Sequence, residues 1–374
     1  MHLRRRLSWL GVGVFVFLVH VAAARAPELV EAVYGRSVGP AIGWALSRIT
    51  GWVPFSVGEV LILGLAGWVL WHVAAGVAAA IGRRRRWGNL LLGGLLTAAQ
   101  ITGVIVALFY VLWGFQYSRP RLEARLGWPP GTEAPAEVLA QLAEEMVGAT
   151  NAAYAEVHGA DDAGQPTGFP DRATMETALE EGWRRAAEAT GLDEAVARRS
   201  YGPVKRPLIL SKGLDWLGIS GFYLPFTGEA NVNRGIPDVS YPQTAAHEKS
   251  HQRGLNPEDE ANFFGYLAAA SAPDPVARYS AYLFAQRQLL NALWIPDEER
   301  ARELVELRLP GVQRDVDAIR AYWAQFEGPV RDASRQTNDA FLKTNRVEGG
   351  VHAYARSVEL MVAWARNRDG NLTP

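Results

Sequence analysis

Hydrophobic positions are unevenly distributed along the chain. Leu7 to Ala24 is a largely apolar run broken by His20, Phe55 to Gly82 is a second, and Gly88 to Phe115 a third. As helices, each reaches about the 20 residues that cross the hydrocarbon core of a bilayer. Three spans are therefore expected, grouped in a membrane anchor over residues 1–116. Arg4 to Arg6 precede the first run and Arg83 to Arg86 separate the second from the third. The excess of positive charge on cytoplasmic loops places both clusters inside and everything after the third span outside. A signal-peptide cleavage after Ala22-Ala23-Ala24 would leave that orientation unchanged. Between the first two runs, Pro27 to Pro54 mixes apolar residues with Gly, Ser and single charges, which predicts an interfacial or re-entrant helix pair. Glu59, His72 and Gln100 are polar exceptions inside the runs. Glu59, near a span end, is expected to reach water, and His72 and Gln100 to bond between helices.

After Tyr117 the pattern changes to charged amphipathic helices, as in PAEVLAQLAEEMVGATNAAYAEV and RATMETALEEGWRRAAEA, separated by a Gly/Asp/Pro loop near Gly159 to Pro170. Further helices are predicted over Val276 to Trp294, Asp297 to Leu307, Val312 to Phe326, Asp332 to Lys343 and Val351 to Arg366. Ile219 to Phe226 reads as a strand, and Pro225 within it confines that strand to a sheet edge. The expected fold class is mainly α: three transmembrane helices, then a mostly helical soluble domain over residues 117–374 with a small β edge.

Candidate chemistry enters at residues 247 to 251, His-Glu-Lys-Ser-His, an HExxH sequence. On a helix, positions i and i+4 share a face, so His247 and His251 can close on one Zn²⁺ with Glu248 beside the open position as general base. Pro242 near one end and Gly254 at the other predict a short helix from about Gln243 to Arg253. Beyond Ala245 and Ala246 this helix has no apolar stripe, so something other than Leu and Val must hold it. A second helix is predicted next, with Asn256 as N-cap, Pro257 at the first helical position and Asp259 completing a capping-box-like pair. Helical spacing aligns Glu258 with Ala261, Asn262, Gly265 and Ala269, a face of small residues suited to close approach. Glu260 shares a face with Phe264 and Leu267, which read as core. Glu258 is the expected third ligand, with Glu260 the alternative; the loop carboxylate Glu229 stays open as a weaker one.

The HExxH sequence followed by Glu-x-x-Ala-Asn at Glu258 to Asn262 resembles the glutamate-zincin pattern of HtpX-like and CAAX-prenyl-protease-like membrane metallopeptidases. That resemblance implies zinc ligation by Glu258 and a zincin-like soluble domain. The link from His251 to Glu258 is shorter than in the prenyl-protease pattern. GISGFYLPFTGEANVN (Gly218 to Asn233), AHEKSHQRG (Ala246 to Gly254), EDEANFFGYLA (Glu258 to Ala268) and YSAYL (Tyr279 to Leu283) resemble an uncharacterised family of bacterial membrane proteins, a domain of unknown function regarded as zinc peptidases. The order edge strand, then HExxH, is what strand-addition binding of an extended peptide needs, with Gly221, Phe222 and Tyr223 as the substrate edge.

The remaining features narrow the function classes. A net charge of −1 with no basic stripe outside the two clusters excludes nucleic acid as the expected partner, leaving a peptide or protein substrate and the lipid bilayer. The absence of Cys removes thiolate ligands and Cys nucleophiles, and no P-loop or G-x-S-x-G is present. The expected activity is zinc-dependent peptide-bond hydrolysis on the extracytoplasmic side of the cytoplasmic (inner) membrane. Tyr279, Tyr282, His352 and Tyr354 are the candidate transition-state donors. The alternative is a non-catalytic zinc-binding envelope receptor or sensor, whose closed site would need a fourth protein ligand, with His158 and His352 available.

Overall fold

A computed structural model of the chain describes residues 2–82, 87–130, 134–159, 168, 171–192, 199–345 and 356–374. Three of its helices, α1 (His2–Ala23), α3 (Val57–Ile81) and α4 (Trp87–Leu112), are long and apolar enough to cross a membrane. The basic run at residues 83–86 and the side chains of Arg4 and Arg5 lie outside the described residues. Helices α1 and α4 touch through glycines: a Cβ on Gly13 would stand 2.6 Å from the Gly103 carbonyl oxygen. Small residues permit such close crossings where no hydrophobic force drives helices together. Helix α3 stands apart, with Leu70, Trp71 and Val73 exposed around it. The third apolar stretch leaves α-geometry at Trp113, three positions from its predicted end, and tightens into a 3₁₀ turn at Gly114–Ser118.

Between the first two apolar helices the chain stays helical, through a turn at Pro27–Val30, a π-helical stretch Glu31–Val38 and α2 (Gly39–Gly51). This segment docks on the rest of the protein: Ser47 accepts from the Gly202 amide at 3.1 Å and Thr50 donates to the Thr227 carbonyl at 3.1 Å. Two polar expectations are corrected here. Glu59 does not face water; its buried carboxylate accepts from the Leu208, Ile209 and Leu210 amides at 2.9, 2.6 and 2.8 Å. These amides open the helix α7 (Leu210–Leu217), whose first N–H groups need an external acceptor. Among the described residues His72 does not bridge helices; its Nδ1 lies 3.0 Å from the Trp68 carbonyl one turn back. Gln100 is half-buried.

The remaining helices are α5 (Ala136–His158), α6 (Arg172–Thr190), α8 (Tyr241–Gln252), α9 (Glu258–Ala270), α10 (Pro275–Leu293), α11 (Glu298–Glu306), α12 (Pro310–Ala324), α13 (Pro329–Thr344) and α14 (Arg356–Arg366). Helix α9 runs through the centre, buried from Asp259 to Ala270, with Phe264 stacked on Trp183 of α6 at 4.8 Å. A two-stranded antiparallel sheet pairs β1 (Gly221–Leu224) with β2 (Glu229–Val232), Gly221 opposite Val232. The parallel bridge Lys205–Asn231 occupies the other side of β2, so β1 is an edge among the described residues. The observed strand is shorter than the predicted Ile219 to Phe226: Pro225 and Phe226 enter the turn, and Ile219 and Ser220 precede the paired residues.

Helix α8 begins at Tyr241, two residues before its predicted start, and almost every side chain on it is buried. Buried charge replaces the missing apolar stripe. Lys249, fully buried, pairs with Glu176 and with Glu180 at 2.7 Å, and Arg253 donates to Glu180 at 2.7 Å. The Arg253 guanidinium sits between the rings of Trp183 and Tyr201, 4.8 and 4.7 Å from their centroids. Burial works against the Glu180 charge, but Arg253 and Lys249 outweigh it and hold its pKa at about 2. Removing one partner strands buried charge, so Glu180→Gln is expected to cost about 3–5 kcal/mol in denaturant unfolding. Because the folded pKa lies below the ordinary 4.5, the wild-type contribution is present above that value and fades as pH falls toward 2. Unfolding curves of the two proteins should therefore converge in acid.

Candidate metal centre

The HExxH helix presents His247 and His251 on one face, their rings 4.8 Å apart and nearly perpendicular. Glu258, the first residue of α9, faces them: its Oε2 is 3.4 Å from His247 Nε2 and its Oε1 3.7 Å from His251 Nε2. One ligand atom from each of the three lies within 4.8 Å of the others, an arrangement that can hold a metal ion. Close approach of the two helices makes this possible. A Cβ on Gly265 would stand 2.9 Å from both the N and the Cα of His247, so only glycine fits there.

The surroundings prepare these atoms. His251 Nδ1 lies 2.8 Å from the Leu255 carbonyl, which can only accept, so the ring proton is fixed there and Nε2 keeps its lone pair. Gly254, at φ +82°, turns the chain back to bring that carbonyl under the ring. The turn is tied to the end of α4 by two bonds: Arg119 donates to the Gly254 carbonyl at 3.1 Å and Asn256 to that of Trp113 at 3.2 Å. Asn256 is therefore not an N-cap; Pro257 takes that position and α9 starts at Glu258. Asp259 pairs with Arg121 in place of a capping box.

Electrostatics separate the groups. Burial disfavours charge on both imidazoles and lowers the His251 pKa to about 4, whereas for His247 the contacts with Glu258, Glu248 and Asn262 outweigh burial and raise it. Burial likewise works against ionised Glu258, but the two histidines outweigh it and lower its pKa. For Glu248 burial prevails: helped by the Glu258 charge and only partly opposed by His247, it pushes the pKa up to about 8, and Oε2 has no hydrogen-bond partner among the described residues.

The cluster opens into a cleft of about 970 Å³. Gly221, Phe222 and Tyr223 line it, and Gly221 lies so close to Glu248 that a Cβ there would be 2.6 Å from its Oε1. Trp113 and Tyr117, just beyond α4, form another wall, with the Trp113 ring 5.9 Å from that of His251.

Several expected residues lie elsewhere. Glu260 turns the other way, accepting from the Leu122 amide at 3.1 Å and from Arg125 at 2.5 Å. Glu229 accepts from the Val57 and Gly58 amides at 3.0 and 2.7 Å, capping α3 rather than joining the cluster. Tyr279 is buried and donates to Asp315 at 2.7 Å, and Tyr282 packs against the core; neither lines the cleft. His158 stacks on Tyr154 at 4.3 Å. His352 and Tyr354 fall outside the described residues. The sequence reading missed Trp113, Tyr117 and Arg287 as cleft residues; they carry no motif, and only the packing of α4 and α10 brings them in.

A family model described as a protein of unknown function (DUF3810) matches residues 34–362. The chain belongs to the DUF3810 family. No curated protein and no solved structure matches it. The DUF3810 match takes in every residue of the cluster and of the cleft wall and leaves out residues 1–33 and 363–374.

Gly265→Ala tests the close helix crossing that assembles the cluster. Overpacking against the His247 backbone should cost about 1–3 kcal/mol. The displaced Glu258 should lower the affinity for a divalent ion, read by competition with a chromogenic chelator, by about tenfold or more.

Proposed function

We propose that this DUF3810 protein is a membrane-anchored zinc-dependent peptidase of the glutamate-zincin type. The observation that carries the reading is the convergence of two imidazole Nε2 atoms and one carboxylate beside Glu248, in a cleft bordered by a sheet edge. The donor set fits zinc. Separations of 3.4 and 3.7 Å are close to the edge, about 3.4 Å, of a tetrahedron with ligand bonds of about 2.1 Å. Among the described residues the cluster has three members, the number of protein ligands a catalytic zinc site uses.

His247, His251 and Glu258 would hold the ion. When bound, zinc supplies Lewis acidity to a carbonyl and acidifies water. The chain's own groups supply the rest. The Leu255 carbonyl fixes His251 in the ligating tautomer. Glu248, lining the cleft beside His247 and His251, is the general base and carries the proton on to the leaving amine. The open edge of β1 holds an extended substrate backbone alongside Glu248. Tyr117, lining the cleft and close enough for the Glu258 charge to act on its hydroxyl, is the donor we assign to the developing oxyanion. Arginines at 4–6 and 83–86 support an extracytoplasmic position for the site by the positive-inside rule.

Purified full-length protein should bind about one zinc per chain, and His247→Ala and His251→Ala should lose it on elemental analysis. Glu248→Gln should keep zinc and lose turnover of a quenched-fluorescence peptide library by about 10²–10⁴. Tyr117→Phe should keep zinc and lower kcat by about 10²–10³. Undiminished turnover in Glu248→Gln contradicts the peptidase; zinc retained in wild type without turnover of any peptide is the outcome of a receptor or sensor.

A further inference from the structure

Two cations line the cleft apart from the metal cluster, Arg335 on α13, which is exposed to solvent, and Arg287, which is not. Arg287, on α10, lines the cleft and is half-buried. Among the described residues it has no hydrogen bond and no ion pair, and the charge that acts on it is another cation, Arg320. Burial first, and Arg320 second, hold its pKa below the usual guanidinium value. Its neighbour Arg308 is in a different position: it donates to Gln286 at 2.9 Å and to Gln313 at 3.0 Å, and Arg320 lies 3.7 Å from Asp317. Arg287 alone of the three has nothing to bond.

Taking a guanidinium out of water without a partner is costly, and a Leu or Met would fill the same wall at no such cost. The planar fork of five donors matches a carboxylate in two parallel hydrogen bonds. The only carboxylates lining the cleft among the described residues are Glu248 and Glu258, both held at the cluster. The wall next to Arg287 is apolar: Leu283, one turn back on α10, packs with Val239, Ile319 and Trp323. Such a wall would exclude water from an ion pair formed there. Ser280, two turns back, accepts from the Gln243 amide at the start of the HExxH helix. Seven helical residues rise about 10 Å, the span of about three extended substrate residues.

We propose that Arg287 is the specificity residue of the cleft, binding a substrate carboxylate a few residues from the scissile bond, so that the preferred peptides are anionic there. The carboxylate is either an acidic side chain or a free C-terminus. The assignment of substrate class rests on the peptidase reading; the anion-binding role of Arg287 does not need turnover.

The test is binding of fluorescein-labelled alanine-based octapeptides to full-length, zinc-loaded Glu248→Gln protein in detergent, read by anisotropy. A single Glu or Gln is stepped through the peptide, and each peptide is made with a free and an amidated C-terminus. Acidic members should bind about ten- to a hundredfold tighter than their neutral partners. The Glu/Gln pairs report a side-chain carboxylate and the amidated pairs a terminal one. Adding Arg287→Ala should abolish the difference, Arg287→Lys should retain part of it, and Arg287→Glu should shift preference to Lys-containing peptides, with zinc content unchanged in all three. Equal or undetectable binding of both members of every pair, or a preference that survives Arg287→Ala, overturns the proposal. Wild-type turnover that ignores peptide charge sinks this proposal and leaves the peptidase standing. Charge-selective binding with no turnover by the zinc-loaded wild type does the reverse.

Discussion

The buried ion network under the HExxH helix is the constraint on which the rest of the structure depends. A helix whose sequence is YPQTAAHEKSHQ has little apolar surface beyond Tyr241 and Pro242 to hold itself in a core, yet sharing one ion, as proposed, requires its two histidines to be fixed to within fractions of an ångström. Lys249 and Arg253 project from the side of the helix away from the cleft and are gripped by Glu176 and Glu180 of α6, with Trp183 and Tyr201 closing over the guanidinium. An ion network of this kind adds little stability over a hydrophobic core, but it is directional, and direction is what a ligand pair needs. The opposite side of the helix is then free for chemistry.

A second set of contacts ties that helix to the apolar N-terminal third. The first apolar-helix donors after Ser56 are capped by Glu229, one residue before Ala230 in β2, and Ser56 itself donates to Asn231 at 2.7 Å. Glu59 returns the favour by capping α7, which leads into β1. At the end of α4, Arg119 joins Glu31, Gln116 and the Gly254 carbonyl. The sheet edge and the turn beneath His251 are thus both braced by the ends of apolar helices. Among the described residues the cleft is a product of the whole chain, with walls from β1, α8, α10, α12, α13 and the segment after α4.

Periodicity made the helical plan legible, because long amphipathic and long apolar segments are the strongest signals a single sequence carries. The small-residue face of α9 was legible too: Gly265 and Ala261 share the Glu258 side, and the two helices meet there. Capping was harder to read. Asn256 and Glu229 looked like an N-cap and a possible ligand, yet each serves a backbone group far away in sequence, 143 and 172 residues distant. Glu59 resembled a snorkelling carboxylate for the same reason: its partners lie about 150 residues downstream. Local patterns name the residue type that can cap, not which helix end it will find. Tyr279 shows the reverse error, a hydroxyl beside a promising motif that is fully engaged by Asp315 in a satellite core.

X-ray absorption at the zinc edge of the purified full-length protein tests the central claim most directly. Convergence of His247, His251 and Glu258 on one ion predicts a four-coordinate first shell of nitrogen and oxygen at about 2.0–2.1 Å, with the outer-shell scattering of two imidazoles and one non-protein oxygen. No bound zinc, or a shell containing three or more imidazoles, would contradict it.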